Sequence, residues 1–447
     1  MRSSDQAAKE KISGTEQEKT AKMKLTGLEK SWIAYDIGNS AFTLLSTTIM
    51  PLFFNALADE AGITSDRYLA YWGYATSVTT VIVALLGPVL GTMADTSGSK
   101  KKIFFSMVVI GLLALLALAL PLSWLSFLIF FVIARVGYQA SLVFYDAMLT
   151  DITSYERMDR VSGYGFALGY IASCVPFILS LLVVLNNKRI GISLKTAITA
   201  AIIINAVWWL IFTIPLLRRY EQRYFVSEGE VKVSKVFKEL FHTTQELGQD
   251  KRILFFLLAF FFYIDGVYTI IDMAVAYGSS IGLDGAMLLI ALLVTQIVAF
   301  PFALLFGYLT KHFSNHALIT VCIAAYTGIA AFAIQLDQVW EFWFLAICVG
   351  MFQGGIQALS RSYFAQLIPR EKSGKYFGVY DIFGKGAAFM GTTLVAAISH
   401  ATGDQSRGIS AIVFLFIIGF VLFRYQVRIM KSNVMNTKNF SDGKNKS

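Results

Sequence analysis

The chain has 447 residues, of which 56% are hydrophobic and only 15% charged, with a net charge of +9 and a mean hydropathy of +0.61. Soluble domains average about 45–50% apolar residues and about 25% charge, so a soluble globular fold is excluded. A nucleic-acid reader is also excluded, because the basic residues sit in the breaks between apolar runs and not on one soluble face.

The first 31 residues are polar and of mixed charge, with no apolar core of a cleavable signal peptide, and are expected to be a disordered tail. Apolar runs then recur at 32–57, 70–94, 102–121, 124–148, 161–185, 196–217, 253–277, 284–309, 315–335, 339–363, 375–400 and 408–429. Each is about as long as a membrane-crossing helix. The predicted fold class is all-α: a polytopic membrane protein with about twelve transmembrane helices. The polar break after the sixth run divides the chain into two six-helix bundles, 32–217 and 253–429, joined by a linker at 218–252. Within that linker, Val231 to Leu247 has the spacing of an amphipathic surface helix. Residues 430–447, rich in Asn, Lys and Ser, are expected to form a second disordered tail.

Of the 38 Lys and Arg, 31 fall in the tails and connections of one side and 5 on the other, with Arg135 and Lys385 inside spans. That bias predicts cytoplasmic termini. It also favours an even number of spans, since one span more or fewer would exchange the sides of everything after it. Cys174, Cys322 and Cys348 lie in apolar runs and read as packing residues.

The two halves repeat weakly. Val136 to Ala140 in span 4 matches Gly350 to Gly354 in span 10, pairing Gln139 with Gln353, and Tyr35-Asp36-Ile37-Gly38 in span 1 faces Tyr263-Ile264-Asp265-Gly266 in span 7. Parallel repeats about an axis normal to the membrane place a substrate path between the halves.

After span 2 the chain reads Gly91-Thr92-Met93-Ala94-Asp95-Thr96-Ser97-Gly98-Ser99-Lys100-Lys101-Lys102. Gly91 permits close helix contact, Asp95 fixes a negative charge at a helix end, and the lysines are expected at the anionic leaflet. This stretch resembles the loop motif between helices 2 and 3 of the major facilitator superfamily. The resemblance implies that fold, and an aspartate that locks one conformation by pairing with the opposing half. In the second half, Gly307 to His312 keeps the glycine but carries Lys311 in place of the aspartate, so a symmetric lock is not implied. Trp32-Ile33-Ala34-Tyr35-Asp36-Ile37-Gly38-Asn39-Ser40-Ala41 resembles the opening signature of the autophagy-related vacuolar amino-acid effluxer family and its bacterial relatives. This second resemblance implies export of amino acids or related metabolites, and the bacterial cell membrane as the expected location.

Ionisable groups inside spans cost roughly 2.5–3.5 kcal/mol each near the bilayer centre and therefore mark function or pairing. They are Asp36, Arg135, Asp146, Asp265, Asp272, Asp381 and Lys385. Arg135 shares a helical face with Gln139 and nearly the face of Asp146; it reads either as a substrate contact or as a buried strut. Asp381 and Lys385, four apart, either neutralise each other or serve the pathway. Asp265 and Asp272, seven apart, share a face: either both face a cavity, where their repulsion would suit a proton-coupling site, or Asp272 is simply solvated near the extracellular mouth. The expected machinery has Arg135 and Lys385 binding an anionic or zwitterionic solute and Asp36 or Asp265 carrying a coupling proton, with Asn39 and Gln139 on the same pathway; Gln296, Gln353 and Gln357 either add hydrogen bonds to it or make helix-to-helix contacts. Gly163, Gly165 and Gly169 in span 5, and Gly384 and Gly386 in span 11, have small-residue spacing that suits close helix contact.

No enzyme framework emerges. Gly378 to Gly386 misses the phosphate-loop spacing and its hydroxyl residue, and His312 and His316 lack a metalloprotease glutamate. No cofactor, metal or nucleic acid is expected; the partners are a small-molecule substrate, a coupling ion and the lipid bilayer, and the expected working unit is a monomer. A lipid flippase of the same fold, or a receptor that binds without flux, are the competing classes.

Overall fold

The computed structural model describes residues 24–120, 122–226, 248–280, 284–402 and 405–444. Among the described residues there are twelve long helices: α1 Gly27–Glu60, α2 Ser65–Ala94, α3 Ser99–Ala117, α4 Trp124–Ile152, α5 Tyr155–Leu185, α6 Leu194–Arg219, α7 Lys251–Ser280, α8 Gly285–Leu309, α9 Asn315–Ala333, α10 Val339–Leu367, α11 Ser373–Thr402 and α12 Gln405–Lys444. Eleven are individually long and apolar enough to cross a membrane. The twelfth, α3, spends its first turn on Lys100, Lys101 and Lys102 and has a shorter uncharged stretch. The arrangement is all-α, six long helices on each side of the break between α6 and α7.

Capping residues fix where the helices begin. Thr26 and Glu29 form a reciprocal capping box at the start of α1. Ser123, Ser193 and Asp284 cap α4, α6 and α8 by accepting the N–H three residues on. One turn of α1, Leu45–Ile49, is wound as a π-helix, followed by Pro51. The expected disordered tail after Met430 is helical instead: α12 runs to Lys444, its sequence holding no proline to stop it. The amphipathic helix expected at Val231–Leu247 lies outside the described residues.

The repeat is visible in matching buried bonds. Tyr35 on α1 is 2.6 Å from Ser141 on α4, and Tyr263 on α7 is 2.7 Å from Ser360 on α10. Both tyrosines are fully buried. Equating Ser141 with Ser360 sets Gln139 against Ala358, so the sequence match of Gln139 with Gln353 is not the structural one. The apolar residues around it fit either register, and the buried Tyr–Ser bond decides between them.

We call the end holding the starts of α1, α3 and α5 the basic end. The halves meet there on glycines, as expected where helices pack without a hydrophobic drive between them. On α2 and α11, a Cβ at Gly91 would lie 2.3 Å from the Gly374 carbonyl oxygen, and one at Gly378 would lie 2.6 Å from that of Gly87. On α5, Gly163 faces the α8 backbone at Ala303 and Gly307. Gly384 and Gly386 do not serve the close approach expected of them. A Cβ there would meet only Phe260 or Phe261 at 3.4 Å or more, because they face the rings of α7 in their own half.

Gly91→Ala should therefore weaken closure of the basic end by about 1–3 kcal/mol of overpacking. The cross-linking yield of cysteine pairs at the basic ends of α2 and α11 should fall in Gly91→Ala and hold in Gly384→Ala. Equal yields in the two variants would refute this account.

Candidate functional site

At the centre of the inter-half contact lies Arg361 of α10, 3% exposed. It falls near the end of the tenth apolar run, 339–363, and is absent from the intramembrane charges read from the sequence; the helix continues past it to Leu367. Its Nε donates to Ser162 Oγ (2.9 Å) and one terminal nitrogen to Asp146 Oδ1 (3.0 Å). The other donates to the Ser162 carbonyl (3.1 Å) and reaches Asp36 Oδ2 at 3.5 Å. The guanidinium also lies over the rings of Phe166 (4.2 Å), Trp32 (4.7 Å) and Tyr145 (5.5 Å). Every one of these partners belongs to the first half.

The ten-residue signature of α1 builds this clamp. Trp32 stacks on Tyr145 at 4.3 Å and donates to its carbonyl, Asp36 reaches Arg361, and Tyr35 anchors α1 to α4. The Asn39 amide donates to the Tyr35 carbonyl, and Ser40 donates to that of Asp36. Gly165 and Gly169 of α5 leave the room: a Cβ on Gly165 would lie 2.7 Å from Asp36 Oδ2, and one on Gly169 2.7 Å from Ser40 Oγ.

Nearer the basic end, Asp95 follows the last turn of α2 and accepts the N–H groups of Gly374 (2.7 Å) and Lys375 (2.8 Å) at the start of α11. A carboxylate on exposed N–H groups at a positive helix end is a favourable pairing. Burial pushes the Asp95 carboxyl up to about 7, against the pull of Lys100 and the two N–H donors. Gly98 takes a left-handed φ of 68° and turns the chain into α3. Lys100 is not at the leaflet as expected. It is fully buried, paired with Asp151 at 3.0 Å and donating to Ser373 of the other half at 2.8 Å. Asp151 completes its shell with Tyr220 and the N–H groups of Arg223 and Tyr224. In the second half, Lys311 is exposed over the Tyr308 ring.

Away from the basic end one ion pair forms and the other charges stand apart. Arg135 lies over Phe131 and within electrostatic reach of Asp272, which is exposed on α7; no ion pair links them. Lys385 pairs with Asp381 and stands within reach of Arg135 and Asp146. Tyr170 of α5 donates to Gln357 of α10, with Gln353 buried one turn away. Thr43 bonds Tyr138, while Gln139 Oε1 and Gln296 Oε1 are buried without a partner.

Asp146 shares its helix with Arg135 but is held by Arg361. The shared cavity considered for Asp265 and Asp272 is not formed. Asp265 is fully buried within its own half, accepting the Gly391 N–H (2.9 Å) and the Thr269 hydroxyl (3.3 Å). The two aspartates share a helical face, yet α11 covers that face at the level of Gly391 and leaves it open two turns further on. Sequence reasoning missed Arg361, Asp151 and Ser162. The available signal was the apolar stretch running past Arg361 to Ile368. Among the described residues no cluster of three or more metal-ligating side chains occurs.

A family model described as "Vacuole effluxer Atg22 like" matches residues 28–436. The chain is 41% identical over 421 residues to YxiO of Bacillus subtilis, an uncharacterized MFS-type transporter, covering 93% of this chain and 98% of that one. It is 29% identical to autophagy-related protein 22-1 of Penicillium rubens, over 60% of this chain and 49% of that one, so it spans about half the length of this fungal relative. Among solved structures, the human organic anion transporter MFSD10 superposes with a TM-score of 0.67 at 12% identity, over 89% of this chain and 98% of that one. The transporter FucP in its outward conformation gives 0.66 at 13% identity, over 90% and 97%.

Removing one partner of a buried ion pair costs about 3–5 kcal/mol, because the other charge is stranded. Arg361→Gln alone should lower the unfolding midpoint in detergent more than Arg361→Gln combined with Asp36→Asn and Asp146→Asn. The opposite order would show that charge does not hold Arg361.

Proposed function

This chain belongs to the Atg22-like vacuole effluxer family of major facilitator transporters, and from that premise we propose that it moves a small zwitterionic solute, an amino acid or related metabolite, by proton-coupled alternating access. The observation that carries the proposal is the clamp of Arg361 from one half by Asp36 and Asp146 from the other. Protonating a carboxylate removes the charge that repays burial of the guanidinium. A proton arriving from the cleft therefore weakens the link that holds the basic end shut. Asp36 and Asp146 suit this role better than Asp265, whose bonds stay inside one half.

The solute site in this reading is the cleft between Arg135, Asp272, Asp381 and Lys385. Two cations and two anions from opposing halves there match the two poles of a zwitterion. Gln139, with its unpartnered oxygen, and Gln353 would supply hydrogen bonds. Asp95 and Lys100 would act as the lock of the basic end. The density of Lys and Arg at that end supports a cytoplasmic assignment and cytoplasmic termini in a bacterial cell membrane, with the monomer as working unit.

One observation favours a second reading. An apolar cavity of about 130 Å³ lies among α7–α10 and α12, lined by residues such as Leu288, Phe342, Val349 and Ile412, with Gln296 and Gln353 on its wall. It would suit the apolar part of an amphiphile.

The test is flux in liposomes containing purified protein, with radiolabelled amino acids and a lipid analogue offered under an imposed pH gradient. Asp36→Asn with Asp146→Asn should abolish gradient-driven accumulation while retaining solute exchange. Arg135→Ala should abolish both. Unchanged accumulation in the carboxylate variant would remove the proton from the mechanism. Flux of the lipid analogue alone would favour the amphiphile, and binding without any flux would favour a receptor.

A further inference from the structure

The basic end holds a second cavity, of about 390 Å³, whose walls include Thr153, Ser154, Arg157, Arg223, Tyr224 and Arg370. It is separate from the cleft of the proposed solute path. Two carboxylates also line it, and both are satisfied. Glu29 is held by Arg157 (2.6 and 2.8 Å), Thr153 and the Thr26 N–H. Asp151 is held by Lys100, Tyr220 and two backbone N–H groups. Each negative charge thus has its own cation, and Arg223 and Arg370 are left over, neither in an ion pair among the described residues.

Arg370 is held in place. Its guanidinium lies over Tyr155 at 3.9 Å and Tyr224 at 5.0 Å and donates to the Tyr224 hydroxyl at 2.8 Å, while its Nε is buried with no hydrogen-bond partner. A stacked arginine has already lost much of its rotamer freedom, which lowers the cost of binding an anion. The exposed Glu156 is within electrostatic reach of Arg370 yet makes no ion pair with it. Ser154 precedes α5 and makes no side-chain cap bond to it.

We propose that this cavity binds a phosphate-bearing anion, free in solution or as a lipid headgroup, held between Arg223 and Arg370. Arg223 follows α6 and Arg370 lies between α10 and α11. The anion therefore bridges the two halves and favours closure of the basic end. Guanidinium groups suit phosphate oxygens through paired hydrogen bonds, and the volume admits a phosphate with part of the body attached to it.

Purified full-length protein is titrated with pyrophosphate in detergent at constant ionic strength, chloride serving as the control for screening. In parallel it is placed in phosphatidylcholine nanodiscs with and without phosphatidylglycerol. The readouts are the melting temperature and the cross-linking yield of cysteines across the halves at the basic end. Both should rise with pyrophosphate if the ligand is a free phosphate, or only with phosphatidylglycerol if it is a headgroup. Either rise should be lost in Arg223→Gln and in Arg370→Gln. Arg223 is exposed, so its variant carries the test if Arg370→Gln does not fold. No rise in either arm, or a rise that persists undiminished in Arg223→Gln, overturns the proposal.

Discussion

A guanidinium cannot lose its charge in a protein, and within a bilayer it needs counter-charge from protein neighbours. Arg361 is such a group, and among the described residues of the second half none supplies it with a carboxylate or aromatic cover. Both come from α1, α4 and α5 of the first half. The chain can therefore bury Arg361 only by bringing the halves together, and must rehydrate it to part them. The α1 signature, the small residues of α5 and the stacked Trp32 and Tyr145 all serve that one requirement.

The rest of the basic end follows a different physics. Asp95 meets backbone N–H groups, Lys100 meets Asp151 and Ser373, and Gly87 and Gly91 let α2 touch α11. These contacts need backbones at close range, so glycine matters there as much as charge. The second half lacks the equivalent acid and leaves Lys311 in the open. The repeat is thus symmetric in its buried core, where Tyr35–Ser141 answers Tyr263–Ser360, and asymmetric where the halves engage.

What the sequence revealed followed from the strength of each signal. Long apolar runs separated by polar breaks are hard to misread in a membrane protein, and the twelve helices fall where those runs lie. Asp36 and Asp146 stand out in the sequence because a charge in an apolar run needs a partner, and Asp95 because of the motif that follows span 2. The partners were less legible. Arg361 lies near the end of its apolar run, close to a polar turn, and hydropathy does not say whether the helix carries one more buried turn. Asp265 and Asp272 shared a face in sequence, but which neighbour covers that face at each depth is set by packing between distant segments. Lys100 looked like a surface lysine because Asp151, its partner, lies 51 residues away.

The π-wound turn at Leu45–Ile49 adds a residue to one turn of α1. Each residue advances a helix by about 100°, so the piece from Met50 to Glu60 is rotated by about that much relative to a plain continuation of the piece carrying Trp32 and Asp36. The two pieces consequently have independent azimuths. Residues below the turn are phased to meet Arg361, and those above it to meet Trp72 and Phe127, so a one-residue deletion within the turn would misalign one set or the other even though no contact residue had changed.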